Sequence, residues 1–285
     1  MRPGVVGYIP SNPAEITPTL AQSIRAFGYT GVTVRVVDPL GASEAALRNA
    51  GTILRDAGVE VVQCNPQYEM LVDPIDERRA LGIRQLRAAA RCAHLLGAHT
   101  TYVRPGSVSP SGPWKPHPEN TRLRTIERLL ASLRAVAPAG EDVGIPFALE
   151  GADCSPLDTP ERIRDVLEAV GSPAMRFNAD PVNLVGSLED LYDNAVITNR
   201  LFDLCGRWIV AAHVKDITYV ESLTVHLEEV PLGEGIFDQT TFARRFETVC
   251  PDGYFMLEHL PDDAYPRAKA NLDGVLAATG IAWRI

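Results

Sequence analysis

The sequence predicts an α/β fold, a single (β/α)8 barrel spanning residues 1–285, and three observations carry that prediction. Short apolar runs rich in Val, Ile and Phe alternate with stretches of helical periodicity, eight of each, a pattern that implies a parallel sheet covered by helices. No linker, composition shift or low-complexity tract divides the chain, and 285 residues is an ordinary length for eight such units to close into one barrel. Polar residues of the kinds that do chemistry gather where the apolar runs end, and a barrel builds its site at the carboxyl ends of its strands.

The first strand is expected over Val5–Pro10, followed by a helix with Leu20, Ile24 and Phe27 on one face and Gly28 as its stop. The second strand is Gly31–Pro39. Ser43 then caps a helix that closes at Gly58, and Val59–Pro66 is the third strand. A long helix over Asp73–Leu96 leads to the fourth strand, which ends at Arg104–Pro105–Gly106. Ser107–Asn120, rich in Pro, Ser and Gly, reads as a loop, and Thr121–Val136 as a helix. IPFALEGA is the fifth strand, and Thr159 caps the next helix with Pro160 in its first position. MRFNADPVN is the sixth strand, Leu188–Leu204 a helix, and Trp208–Asp216 (WIVAAHVKD) the seventh strand. After a long connection over Ile217–Phe237 come a helix over Asp238–Val249, the strand YFMLEHL and a last helix over Asp262–Thr279.

Composition narrows the partners. A net charge of −9 argues against nucleic acid, which demands a basic patch, and favours small molecules. The five cysteines, Cys64, Cys92, Cys154, Cys205 and Cys250, show no CxxC spacing and read as reduced thiols of a cytoplasmic protein. Most are expected to pack as small hydrophobes, although Cys64 and Cys154 fall near strand ends and could face a pocket. Neither a leader-like apolar segment nor a membrane-length apolar run occurs, so no membrane partner is expected. The oligomeric state, a homo-oligomer included, is left open.

Four strand ends carry the candidate metal ligands: Glu150, Asp180, His213 and Glu258. The first two intervals are each about one βα unit, and the third is lengthened by Ile217–Phe237, so consecutive strands present three carboxylates and one imidazole around one rim. Three carboxylates in a low-dielectric pocket need a counter-charge, which a divalent cation supplies. One nitrogen with several oxygens and no thiolate suits Mn2+, with Mg2+ or Co2+ next, better than structural zinc.

Lys215 shares His213's side of the strand; it could polarise a substrate oxygen or form a rim salt bridge with Asp216 or Glu234. His259 is expected to point to the opposite face from Glu258. Trp114 and His117, in the long loop, could cover or stack on a substrate or simply anchor the loop, and Arg104 could bind an anionic or hydroxyl-rich substrate. LGEGIFD (Leu232–Asp238) follows no strand and opens no βαβ unit, so a tight turn with Asp238 capping the next helix fits better than a dinucleotide site.

The pattern FALEG, FNADPVN, HVKD, PLGEGIFD and MLEH resembles the xylose isomerase-like barrel superfamily, which contains sugar isomerases, ketose 3-epimerases, inosose dehydratases and AP endonucleases. The resemblance spans most of the chain and is strongest over Pro146–Leu260. It implies that Glu150, Asp180, His213 and Glu258 bind one catalytic divalent metal. It further implies that Glu150 and Glu258 remove and return a proton, with a metal-bound enediolate stabilised between those steps. Asn183 stands where ketose 3-epimerases commonly carry a substrate-contacting His, a departure from that subfamily.

The leading expectation is therefore a divalent-metal-dependent isomerase or epimerase acting on a ketose or keto-sugar. The alternative is a lyase or dehydratase acting on a keto-sugar or cyclitol at the same site. AP endonuclease-type DNA repair fits poorly, because the third strand ends in Cys64–Asn65–Pro66 and the fourth in Arg104 rather than in further histidines. A sugar-binding barrel that depends on a partner is the remaining class.

Overall fold

The computed structural model describes residues 1–285. Eight parallel strands close into a barrel: β1 (Arg2–Val5), β2 (Gly31–Val36), β3 (Glu60–Pro66), β4 (Thr100–Val103), β5 (Phe147–Leu149), β6 (Met175–Ala179), β7 (Ile209–Val214) and β10 (Tyr254–Leu257). The order around the barrel is β1-β10-β7-β6-β5-β4-β3-β2. The surrounding helices are α1 (Pro18–Ala26), α2 (Glu44–Asp56), α3 (Asp76–Leu96), α4 (Leu123–Val143), α5 (Pro160–Val170), α6 (Leu188–Tyr192), α7 (Asn194–Cys205), α8 (Gln239–Val249) and α9 (Tyr265–Thr279). None is long and apolar enough to cross a membrane.

The capping chemistry read from the sequence is present. Ser43, Thr159 and Asp238 each accept the N–H three residues ahead, so each satisfies a donor that a helix start leaves free. Gly97, Gly144, Gly171 and Gly280 end their helices in the left-handed conformation.

Four expectations are corrected. The first strand is Arg2–Val5, not Val5–Pro10, because pairing selects a stretch with little side-chain bulk: Gly4 lies beside Gly31, and Tyr254 fills the space their missing Cβ atoms leave. The helix expected to end at Val136 runs to Val143 through Pro138, which marks no boundary. The helix expected over Leu188–Leu204 is two, broken at Asp193. The connection Ile217–Phe237 contains an antiparallel hairpin, β8 (Asp216–Val220) with β9 (His226–Val230), standing on the rim outside the barrel.

One large hydrophobic cluster lies between the strands and the helices. Inside the barrel, Val62, Ala211, Tyr254 and Met256 form a small apolar plug. Above it the interior is polar, and one irregularity contributes to it. On β3 the pairing with β2 skips Val62, so Val62 joins the plug while its neighbour Gln63 also reaches inward. On β6 Asn178 reaches the same interior by ordinary alternation, since Phe177 and Ala179 on either side of it pack in the outer cluster.

Candidate metal centre and active site

Glu150, Asp180 and Glu258 each stand one residue beyond the end of their strands β5, β6 and β10, and His213 lies in the last turn of pairing of β7. All four are at most 4% exposed, and one ligand atom from each lies within 4.8 Å of all the others. Atoms held about 2.1–2.5 Å from one ion can be at most about 5 Å apart, so the four could hold a single cation.

The hydrogen bonds around His213 fix which nitrogen would be free. Nε2 lies 2.9 Å from Gln63 Oε1. An amide oxygen only accepts, so Nε2 carries a proton, and in the neutral ring Nδ1 has the lone pair. Gln63 is oriented in turn: its amide donates to Asn178 Oδ1 at 2.9 Å, and Asn178 donates to Glu150 Oε1 at 2.7 Å. The Tyr102 hydroxyl donates to Glu150 Oε2 at 2.5 Å, and its ring stacks on the imidazole with centroids 5.5 Å apart. Every member of this network is buried, so its polar groups are costly to leave unmatched.

Two buried atoms at the centre lack an aligned hydrogen bond. His213 Nδ1 lies 3.0 Å from Glu150 Oε1 and 2.9 Å from Glu258 Oε2, and Asp180 Oδ2 lies 2.9 Å from Lys215 Nζ, each at contact distance without the angle of a hydrogen bond. Donor atoms that converge on a common point rather than on one another are what a cation site requires. Charge agrees. Three carboxylates and the Lys215 ammonium leave a formal −2 when His213 is neutral, which one divalent ion cancels.

Without a cation, protons must supply the balance. Burial pushes the Asp180 carboxyl up to about 8, against the pull of Lys215. Burial opposes charge on His213, but Glu258 and Glu150 prevail and raise it to about 10. Burial also opposes ionisation of Glu258, yet His213 and Lys215 together hold its carboxyl well below the usual range.

Lys215 forms no rim salt bridge with Asp216 or Glu234. Its ammonium is buried, 2.8 Å from Glu258 Oε1. Asp216 instead ties the following loop, accepting the N–H groups of Ile217, Gly233, Gly235 and Phe237 at 2.9–3.1 Å. That explains LGEGIFD: Gly233 has φ +94°, and a Cβ on Gly235 would sit 2.2 Å from Asp216 Oδ1.

The cluster opens into a cavity of about 420 Å³ lined by Tyr102, Trp114, Cys154, Asn183, Glu229 and His259 among others. Trp114 and Asn183 are thus brought to the site, and of the two cysteines near strand ends it is Cys154 that faces it, while Cys64 is fully buried in the outer core. Arg104 lines a neighbouring cavity instead. His117 lines neither; its Nδ1 accepts the Glu119 N–H and shapes the loop. His259 does not face away as expected: β10 stops at Leu257, and His259, with φ +57°, turns into the cavity, 3.1 Å from Glu229.

Sequence reading missed Gln63, Asn178, Tyr102 and Glu229. Gln63 and Asn178 left a signal, each a neutral polar residue inside an otherwise apolar strand, VVQC and RFNA. Glu229 left none, because its place depends on the hairpin.

A closed barrel with a buried Glu-Asp-His-Glu cluster at the carboxyl ends of four neighbouring strands defines a class of barrel able to hold one metal ion. A sequence model described as xylose isomerase-like TIM barrel matches residues 21–277, and the chain belongs to that family. No curated protein matches it in sequence. Among solved structures, a xylose isomerase-like TIM barrel protein from Mycobacterium smegmatis in complex with magnesium is similar at 17% identity and a TM-score of 0.71, over 94% of this chain and 90% of that one. The 3-keto-D-glucoside 4-epimerase from E. coli is similar at 16% identity and a TM-score of 0.68, over 97% and 99%. The probable 3-DHS dehydratase from Bacillus anthracis is similar at 15% identity and a TM-score of 0.71, over 98% and 99%. At these identities the likeness is one of fold.

Proposed function

We propose that the protein is a divalent-metal-dependent isomerase or epimerase of a ketose or keto-sugar. The observation that carries this reading is the convergence of Glu150, Asp180, His213 and Glu258, all buried, beneath a cavity of about 420 Å³. Glu150, Asp180 and Glu258 by their carboxylates and His213 by Nδ1 would hold the ion. Bound there, it would supply the Lewis acidity that makes a carbon beside a carbonyl acidic.

The remaining work falls to the chain. Glu150 and Glu258 are the proposed bases. They stand on β5 and β10, with β6 and β7 between them, so they approach a substrate from opposite sides. Tyr102 and Asn178 orient Glu150, and Lys215 keeps Glu258 ionised and able to accept a proton. Trp114 and Asn183 line the space in which the substrate would be positioned. A cytoplasmic location and a single functional unit over residues 1–285 belong to the same reading.

One feature favours a second reading. Lys215 and His259 place proton donors beside Glu258, with Lys215 Nζ 3.5 Å from His259 Nδ1, and a donor next to the base is what expulsion of a β-hydroxyl needs. That reaction is a dehydration. Incubating Mn2+-loaded protein with a panel of ketoses and keto-sugars in deuterated water separates the two. Solvent deuterium in the sugar without loss of water is the expected result; net loss of water transfers the site to dehydration, and absence of both refutes the enzyme reading.

A further inference from the structure

Beside the acidic cluster, the same barrel mouth contains a second cavity of about 430 Å³, built from the ends of β2, β3 and β4. Its chemistry is opposite in sign. Arg35, Arg78 and Arg104 line it with one carboxylate, Glu69, and Arg78 binds that carboxylate at 3.0 Å. Arg104 is half-buried and held in place. Its guanidinium lies 4.4 Å from the centre of the Tyr68 ring and donates to the Tyr68 carbonyl at 3.2 Å. The Tyr68 hydroxyl accepts the Arg104 backbone N–H at 2.6 Å, which fixes the ring against the end of β4. Neither Arg104 nor Arg35 pairs with a carboxylate. In a chain of net charge −9, two guanidinium groups facing a concave space without a counter-ion call for one from outside.

The two cavities are neighbours. Pro113 lines the arginine cavity and Trp114 lines the other, so consecutive loop residues form the wall between them. On the other side the divider is β4 and its end, where Tyr102, hydrogen-bonded to Glu150, is two residues from Arg104, roughly 7 Å along an extended chain. A molecule whose keto group lies at the cluster could therefore place its far end among the arginines.

We propose that this arginine cavity is the anion-recognising part of the substrate cleft, and that the substrate is an oxyanion-bearing sugar, a phosphate ester or a carboxylate. The inference rests on the function proposed above, whose catalytic residues it does not alter. Arg104 and Arg35 act in binding, through paired N–H donors that match the geometry of either anion.

The test is calorimetric titration of inorganic phosphate and, separately, of D-glucuronate, at low ionic strength. It uses Mn2+-loaded and chelator-treated protein, so that direct contact of anion and metal is recognised. At least one anion binds, and Arg104→Met weakens it on the order of tenfold in both preparations. Arg35→Met weakens it less; this exposed residue carries no packing, so that variant guards against misfolding. A response to phosphate alone identifies a phosphate ester, and a response to glucuronate alone identifies a sugar acid. Equal binding by wild type and both variants, or no binding of either anion, overturns the proposal. Deuterium exchange distinguishes the two ideas: if anion binding behaves as stated but no sugar exchanges, the catalytic reading fails while the anion site stands.

Discussion

The two halves of the barrel mouth are built on different principles. The acidic cluster on β5, β6, β7 and β10, with Gln63 reaching in from β3, is buried and pre-set: nearly every polar atom of Glu150, Asn178, Gln63 and Glu258 is held by another buried side chain. The arginine cavity at the ends of β2, β3 and β4 is lined by more exposed side chains, and its arginines are only partly engaged. Chemistry that moves a proton gains from groups fixed beforehand, whereas capture of a charged end tolerates groups that adjust on contact. Substitutions in the first half should therefore disturb metal and rate, and those in the second half should disturb affinity alone.

The largest effect should come from Glu258→Gln, which removes a proposed ligand and base together. Turnover should fall about 10³-fold, and metal analysis of the purified variant should show weakened loading. Turnover and metal content equal to wild type would remove the distinction between the halves. Asp216→Ala strips the acceptor from four N–H groups of the rim loop and should cost about 2–4 kcal/mol in denaturant unfolding. Gln63→Leu leaves all four proposed ligands in place but frees the His213 ring; metal affinity should drop about 10–100-fold while the fold persists. An unchanged dissociation constant would show that the network is only packing.

Titration gives a subtler test. In metal-free protein His213 is raised from 6.5 to about 10, so the stability it contributes is complete below pH 6.5 and is lost as pH climbs toward 10. Asp180 is raised from 3.8 to about 8, so it too makes the folded state less favoured as pH climbs from about 4 to 8. Both have the same sign: the Tm of chelator-treated protein should decline between pH 6.5 and 9. Mn2+ binds the deprotonated ligands and should stabilise more at pH 8 than at pH 6.5. A flat profile without metal would contradict the charge balance drawn for the cluster. The smallest effect is expected on the open side, where Arg35→Ala should alter unfolding free energy by less than about 0.5 kcal/mol.

The barrel and the candidate ligand set were legible in the sequence because both depend on local order. Strand and helix periodicities repeat along the chain, and a barrel places every strand end on one rim, so Glu150, Asp180, His213 and Glu258 could be grouped without knowing a contact. Lys215 was singled out by strand alternation, but its burial among carboxylates was not, since alternation gives a side and not a partner. Where reasoning failed, two-residue periodicity had ended or slipped. His259 turns through a positive φ just after β10, and the first strand is set by glycines that hydropathy does not register.

By itself, then, the sequence determined the eight-unit alternation, the helix caps and the convergence of three carboxylates and a histidine, all consequences of short-range pattern. Only the tertiary structure decided which His213 nitrogen is free, because that depends on Gln63, 150 residues away and swung inward by a bulge. It also decided that the Asp216–Val230 segment stands as a hairpin bringing Glu229 to the cavity, and that Arg104 faces a second cavity rather than the first. These are facts of register and of packing between distant strands, and one residue of slip reverses the side on which a side chain stands.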